Sequence, residues 1–297
     1  MEGMETVNKI IFIGGDMRQI RAINQISRSK TAVEVLGFES ETEKLFDPSV
    51  TVVYDISKLS ENCRAAVLPL PYTTDGENIN MPYSENKISV SEVMREMPKS
   101  RCILAGRCDE KLKTLAEVYG VPLTDYFCRE ELMILNAIPT AEGAIQIAME
   151  ETPHTINRSR CLVIGYGRIG KILSEMLRGL GAEVTAAARK RKDLALAGAF
   201  GCNTVPIWEL HEIIGEFDIV FNTVPSMLLD FDMMSKIPKR TLLIDLASRP
   251  GGIDFDAAQD LGLRAIRALS LPGKVAPDTA GDIIKDTILN ILEEMEV

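Results

Sequence analysis

Short apolar runs alternate with segments of helical spacing along the chain, and they form two series that meet near residue 139. The first opens with residues 10–13, a buried-strand run that ends in glycines and passes into a helix starting near Met17. AVEVLGF, TVVYDI and AAVLPLP read as further short strands, the second followed by a polar helix and the third stopped by Pro69 and Pro71. SEVMREMP is helical, RCILAG is a strand, and CDEKLKTLAEVYG is a helix closed by Gly120 as its C-cap. Residues 73–87, TTDGENINMPYSENK, have no periodicity and read as a loop able to line a cleft.

From 130 to 150 the apolar spacing is helical again, but Pro139 lacks an N–H and its ring crowds the preceding turn. A break and a hinge are expected there, with Thr140 or a neighbour capping a second helix, AEGAIQIAMEE. The second series then runs through CLVIGYG, AEVTAAAR, CNTVPI, DIVFNTVP, TLLIDLAS and LRAIRAL, six short strands with helices between them. That order predicts a mostly parallel, doubly wound sheet. The last segment is an amphipathic helix with Ile283, Ile284, Ile288, Ile291 and Leu292 on one side, a candidate to cross back onto the first lobe. The expected fold is α/β with two lobes. A flavodoxin/Rossmann-like N-terminal lobe covers residues 1–138, completed by helix 281–297, and a doubly wound NAD(P)-binding Rossmann lobe covers 139–280.

Composition narrows the function. A length of 297 residues suits two such lobes, and 46% hydrophobic with 26% charged residues is a globular balance. A net charge of −10 opposes wholesale binding to nucleic acid or anionic lipid and favours a small-molecule substrate. No uninterrupted apolar run approaches the roughly 20 residues of a membrane span, and MEGMETVNK lacks the basic-then-apolar order of a signal peptide. A cytoplasmic protein is expected. The six cysteines show no CxxC spacing, so they read as reduced, mostly core residues, and no metal site is expected.

The sharpest chemical signal is Gly165-Tyr166-Gly167-Arg168-Ile169-Gly170. It follows an apolar strand and opens a helix, the context in which one glycine makes the turn, one admits a pyrophosphate to the backbone and one lets helix and turn pack. About 20 residues on, where NAD-binding proteins place a ribose-binding acid, this chain has Ala188, then Arg189, Lys190, Arg191 and Lys192. An uncharged residue beside an arginine favours NADP, with NAD the second choice; the competing reading is a solvated basic turn. Asn222, Thr223, Val224 and Pro225 follow the fourth strand of the series, at the edge where open sheets bind ligands, with their backbone flanking the nicotinamide ribose. Ser248 and Arg249 follow the fifth, where an arginine fork suits a carboxylate as readily as a surface ion pair. Residues 270–281 read as a glycine and proline loop carrying Lys274, Asp278 and Thr279.

GYGRIGK, NTVPSMLLD, LIDLASRPGGIDF and ALSLPGKVAPDTAG, preceded by NAIPTAEGAIQIA, together resemble the dipicolinate synthase A-subunit family of spore-forming bacteria. The resemblance covers nearly the whole chain. It implies NADP-dependent oxidation of a dihydrodipicolinate-type precursor to pyridine-2,6-dicarboxylate in the mother cell during sporulation, and a flavoprotein-like B subunit on another chain. A dicarboxylate asks for two cationic or NH-rich grips. Arg249 and Lys274 are candidates from the second lobe, and Gly14, Gly15, Asp16 and Arg18 from the first, with Thr140 as a donor at the hinge. Asp16 is either a proton acceptor or the cap of the first helix, and the cap is preferred. Three alternatives stay open. A D-2-hydroxyacid dehydrogenase needs a histidine base late in the chain, and His154 and His211 come too early. A methylenetetrahydrofolate- or shikimate-type dehydrogenase and a non-catalytic NADP-sensing protein are the others. A homo-oligomer is left open.

Overall fold

Residues 9–29, 31–39, 41–60, 63–97 and 102–295 are described by the computed structural model. The opening MEGMETVN, the Pro98 end of the SEVMREMP helix, Arg101 at the head of RCILAG and the last two residues of the C-terminal helix lie outside them. Two compact units result, one from the described residues up to Met133 and from Pro277 onward, the other from Ile134–Ala276.

The first unit runs β1 (Lys9–Ile13), α1 (Met17–Arg28), β2 (Ala32–Leu36), β3 (Val50–Val53), β4 (Ala65–Val67), α2 (Val90–Glu96), β5 (Cys102–Ala105), α3 (Glu110–Tyr119) and β6 (Leu123–Asp125). All its strands pair in parallel in the order β3-β2-β1-β4-β5-β6. That is the doubly wound dinucleotide-fold order rather than the flavodoxin one. The polar helix expected after TVVYDI is only a 3-10 turn, Ile56–Lys58. Asp55 accepts from both the backbone and hydroxyl of Ser57, so local bonds replace helical ones.

Helix α4 (Glu130–Glu151) runs unbroken through Pro139, contrary to the expected break. Thr140 is interior, not a cap, and its hydroxyl donates to the Asn136 carbonyl at 2.7 Å. Burial outweighs the lost proline bond, because Leu132, Ala137, Ala141, Ala144 and Ala148 are fully covered along the helix. Helix α4 is also the one described element long and apolar enough to cross a membrane by length and composition; its Ala141, Ala144, Ile145 and Ala148 lie in the protein's own core.

The second unit continues with β7 (Arg160–Ile164), α5 (Arg168–Gly179), β8 (Glu183–Ala188), α6 (Arg191–Ala199), β9 (Asn203–Pro206), α7 (Leu210–Ile213), β10 (Ile219–Asn222), α8 (Phe231–Met234), β11 (Leu242–Asp245), α9 (Phe255–Asp260), β12 (Arg264–Arg267) and α10 (Leu271–Val275). Its parallel order is β12-β11-β10-β7-β8-β9, so the strand order reverses at β7/β10. Apolar clusters cover both faces of each sheet, which is why the strands read as continuous apolar runs.

The predicted loop 270–281 is helical instead: α10 is followed directly by α11 (Pro277–Glu294). Pro272 and Pro277 stand in first turns, where their fixed φ suits a helix and their missing N–H costs nothing. Helix α11 belongs to the first unit, its Ile283, Ile284, Ile288, Ile291 and Leu292 clustering with Ile20, Ile23 and Ile26 of α1. The helices approach closely at Gly281, where a Cβ would lie 2.6 Å from the Arg18 carbonyl oxygen. Arg21 of α1 ties the pair with two bonds to Asp282, at 2.9 and 3.0 Å.

Candidate functional site

The switch point of the second sheet is built by the turn from β7 into α5. Gly165 has φ +96°, a conformation that favours glycine, and a Cβ there would come 2.3 Å from Thr223 Oγ1. At Gly170 a Cβ would lie 2.0 Å from the Gly165 carbonyl oxygen, so this glycine lets α5 pack onto its own entry turn. Gly167 differs: it is exposed, and a Cβ there would meet nothing within 4 Å. It is also the N-cap of α5, with no side-chain cap on the helix's first N–H groups. Turn, open approach and close packing are the three glycine roles of a pyrophosphate cradle, and an uncapped helix start supplies donors and a positive dipole end. The residues present fit a dinucleotide. Tyr166 points the other way, buried in the core with Leu173 and Leu177 of α5, while Arg168 is exposed and Ile169 half-buried.

Across the switch point, the Thr223 hydroxyl donates to the Ile164 carbonyl at 2.9 Å, joining β10's exit to β7's. Val224 is half-buried and Pro225 exposed at this edge. The Asn222 side chain is taken up by bonds within the protein. It is wholly buried, donates to Asp245 Oδ1 at 2.8 Å and to the Val224 carbonyl at 3.0 Å, and accepts from the Val224 N–H at 3.2 Å.

Asp245 went unremarked in the sequence, yet it organises the loop after β11. Its carboxylate is fully buried and also accepts from the N–H groups of Ala247 and Gly252, at 3.2 and 3.1 Å. Gly251 and Gly252 leave room for this: a Cβ on the first would lie 2.6 Å from Asp245 Oδ2, and on the second 2.4 Å from Asn222 Nδ2. The available signal was an acid closing an apolar strand, followed shortly by two glycines. Ser248 and Arg249 project exposed from this pinned loop, and Arg249 has no hydrogen bond or ion pair among the described residues. Lys274 is exposed on α10.

At the end of β8, Ala188 is buried and Arg189 and Lys190 are exposed, with no carboxylate at the strand end. Arg191 lies over the ring of Trp208, 5.4 Å from its centroid. His211 accompanies Trp208, its Nδ1 3.0 Å from the Trp208 carbonyl, and His154 is exposed outside any strand or helix. No cluster able to hold a metal occurs among the described residues.

In the first unit the corresponding turn is closed by its own chain. Gly15 N–H donates to the Asn80 carbonyl at 3.0 Å, and a Cβ on Gly14 would meet Met81 at 2.6 Å. Asp16 is the N-cap of α1, accepting from Arg18 N–H at 3.0 Å, as preferred from the sequence. The Arg18 guanidinium forks onto Asp16, Nη2 at 2.7 Å, and also donates to the Leu70 carbonyl. Asp278 pairs with Arg21 at 3.4 Å, on α11 rather than at a ligand edge.

Residues 9–127 match the N-terminal domain of the dipicolinate synthase A-subunit, and residues 139–260 match the D-isomer specific 2-hydroxyacid dehydrogenase NAD binding domain. The dipicolinate synthase A-subunit of Bacillus subtilis (strain 168) is 32% identical over 294 residues, 99% of this chain and 98% of the relative. This chain belongs to the dipicolinate synthase A-subunit family. Solved family structures agree: the A-subunit from Bacillus subtilis superposes with a TM-score of 0.90, covering 100% of this chain and 99% of its own. Its counterpart from Bacillus halodurans also gives 0.90 at 29% identity, covering 98% and 99%. A transhydrogenase from Sinorhizobium meliloti shares the fold at 15% identity and a TM-score of 0.73, covering 96% and 94%. With a dehydrogenase-type NAD-binding domain, the family member is an oxidoreductase that takes a nicotinamide cofactor.

Proposed function

We propose that this chain is the dehydrogenase subunit of a dipicolinate synthase, oxidising a dihydrodipicolinate-type precursor to pyridine-2,6-dicarboxylate with NADP. The observation that carries the reading is an open pyrophosphate cradle at Gly165, Gly167 and Gly170 in a chain matched along 99% of its length to a dipicolinate synthase A-subunit. The bound nicotinamide supplies the hydride acceptor, while one proton leaves the ring for solvent, so a dihydropyridine becomes an aromatic pyridine. Aromatisation drives that step, and the protein's share is chiefly positioning. This also separates the reading from a 2-hydroxyacid dehydrogenase, which needs a histidine base. Neither histidine stands at the switch point.

The residues divide the work. The N–H groups opening α5 and the backbone at Gly167 hold pyrophosphate, and the Thr223–Pro225 backbone flanks the nicotinamide ribose. Ala188 leaves room for a 2′-phosphate that a carboxylate would repel, and the cations from Arg189 onward attract it, which favours NADP over NAD. Arg249, unpaired among the described residues on its pinned loop, grips a substrate carboxylate, and Lys274 adds a second cation. The working assembly includes a B subunit; its place of action is the cytoplasm of the sporulating mother cell. The test is NADPH and dipicolinate formation from a freshly generated precursor, run with NADP and NAD and with and without the B subunit. Dipicolinate formed without matching NADPH would refute the reaction; equal rates with NAD would refute the cofactor preference.

A further inference from the structure

We infer that Trp208 sets the cofactor preference by bracing Arg191 as the grip for the 2′-phosphate of NADP. The inference rests on the dinucleotide reading above and moves the central cation from Arg189 to Arg191. The parallel register pairs Ala188 with Pro206, so the ends of β8 and β9 lie side by side and Trp208 comes two residues past that pair. Trp208 is 49% exposed, and its indole N–H donates to Glu209 at 3.1 Å. Over this face lies the Arg191 guanidinium, 5.4 Å from the centroid. The side chains of Arg189, Lys190 and Lys192 are exposed and have no hydrogen-bond or ion-pair partner among the described residues.

Stacking changes what an arginine can offer. A long free side chain loses rotamer entropy when it clamps a ligand, and a guanidinium already flat on an indole has less to lose. The stack occupies a face of the cation and leaves its edge N–H groups for a fork onto phosphate oxygens. A purely structural role fits poorly. Arg191 opens α6, where a cation meets the positive end of the helix dipole, and no carboxylate is paired with it among the described residues. An anion would relieve both, and the ribose-recognising position at the end of β8 is where a 2′-phosphate would come.

The full-length chain is titrated calorimetrically with 2′,5′-ADP and 5′-AMP, and Trp208, the single tryptophan, reports by its emission. Wild type is expected to prefer 2′,5′-ADP. Arg191→Leu and Trp208→Leu should each cut that preference about tenfold, the loss of one charge-assisted contact, with 5′-AMP affinity unchanged. Trp208→Phe keeps an aromatic face and should retain most of the preference. Trp208 emission should respond to 2′,5′-ADP in wild type and not in Arg191→Leu, with circular dichroism confirming that each variant is folded. A preference unchanged in Arg191→Leu or Trp208→Leu, or lost only in Arg189→Leu, overturns the inference while the dinucleotide reading stands. A wild type that binds both nucleotides equally overturns the NADP reading itself.

Discussion

Asn222 and Asp245 are register partners at the ends of neighbouring parallel strands, and the Asn222 amide donates to the Asp245 carboxylate at 2.8 Å with both side chains wholly buried. The pair joins two ligand-edge loops: Asn222 ties down Val224 on one side, and Asp245 ties down Ala247 and Gly252 on the other. It holds both loops in place beneath the candidate site.

Asp245→Ala would leave the Ala247 and Gly252 N–H groups and part of the Asn222 amide without an acceptor. Each buried unsatisfied group costs about 1–3 kcal/mol, so a loss of about 3 kcal/mol or more is expected in urea denaturation. Asp245→Asn, which keeps one oxygen, should fall between this variant and wild type. A loss under about 1 kcal/mol for the alanine variant would contradict the role.

The cradle glycines should separate folding from binding. Gly170→Ala forces a Cβ to within 2.0 Å of a backbone oxygen, so a loss on the order of 3 kcal/mol is expected. Gly167 has φ −83°, open to any residue, and empty space around it. Gly167→Ala should therefore change stability by less than about 0.5 kcal/mol yet weaken NADPH binding about tenfold or more in calorimetry. Undiminished NADPH binding would mean that no phosphate approaches Gly167.

The two parallel sheets and the glycine cradle were legible because strands buried on both faces leave continuous apolar runs, and glycines at a strand-to-helix turn carry a steric requirement. What stayed hidden depended on partners distant in sequence. The bond that the Asn222 side chain makes shows only once the register sets Asp245 beside it, and Arg191 reads as part of a basic run behind Arg189 until the chain after β9 brings Trp208 under it. Pro139 misled for a related reason: its local cost is visible in the chain, while the burial that outweighs it belongs to the folded core. Residues 270–281 misled because prolines that break helices in their interiors also begin them.

Acid should weaken the first unit through Glu34. Burial alone would raise its carboxyl pKa, but hydrogen bonds from Lys9 and Ser60 outweigh that and hold it below its ordinary 4.5. Lys9 Nζ is 2.6 Å away and the Ser60 N–H 3.0 Å. With the folded value depressed, the stabilisation is fully present above 4.5 and is lost as pH falls through the folded value. Urea denaturation followed from neutral pH downward should show this slope, and Glu34→Gln should flatten it at the cost of lower stability near neutrality. An identical slope in the variant would remove Glu34 from the acid response.

Arg249 offers the most direct test of substrate recognition. It is exposed and unpaired among the described residues, while the loop that carries it is pinned from below by Asp245. Removing its side chain should therefore leave the fold alone, within about 0.5 kcal/mol. A bidentate charge-assisted pair with a carboxylate is worth up to about 3 kcal/mol, so Arg249→Ala should raise KM for the dicarboxylate about a hundredfold. NADPH affinity should not change, because the cradle lies on a different turn. Arg249→Lys keeps the charge without the fork and should fall between the two. Steady-state kinetics with saturating cofactor gives the answer: a KM unchanged in Arg249→Ala would show that the carboxylate is held elsewhere, with Lys274 the next cation to remove.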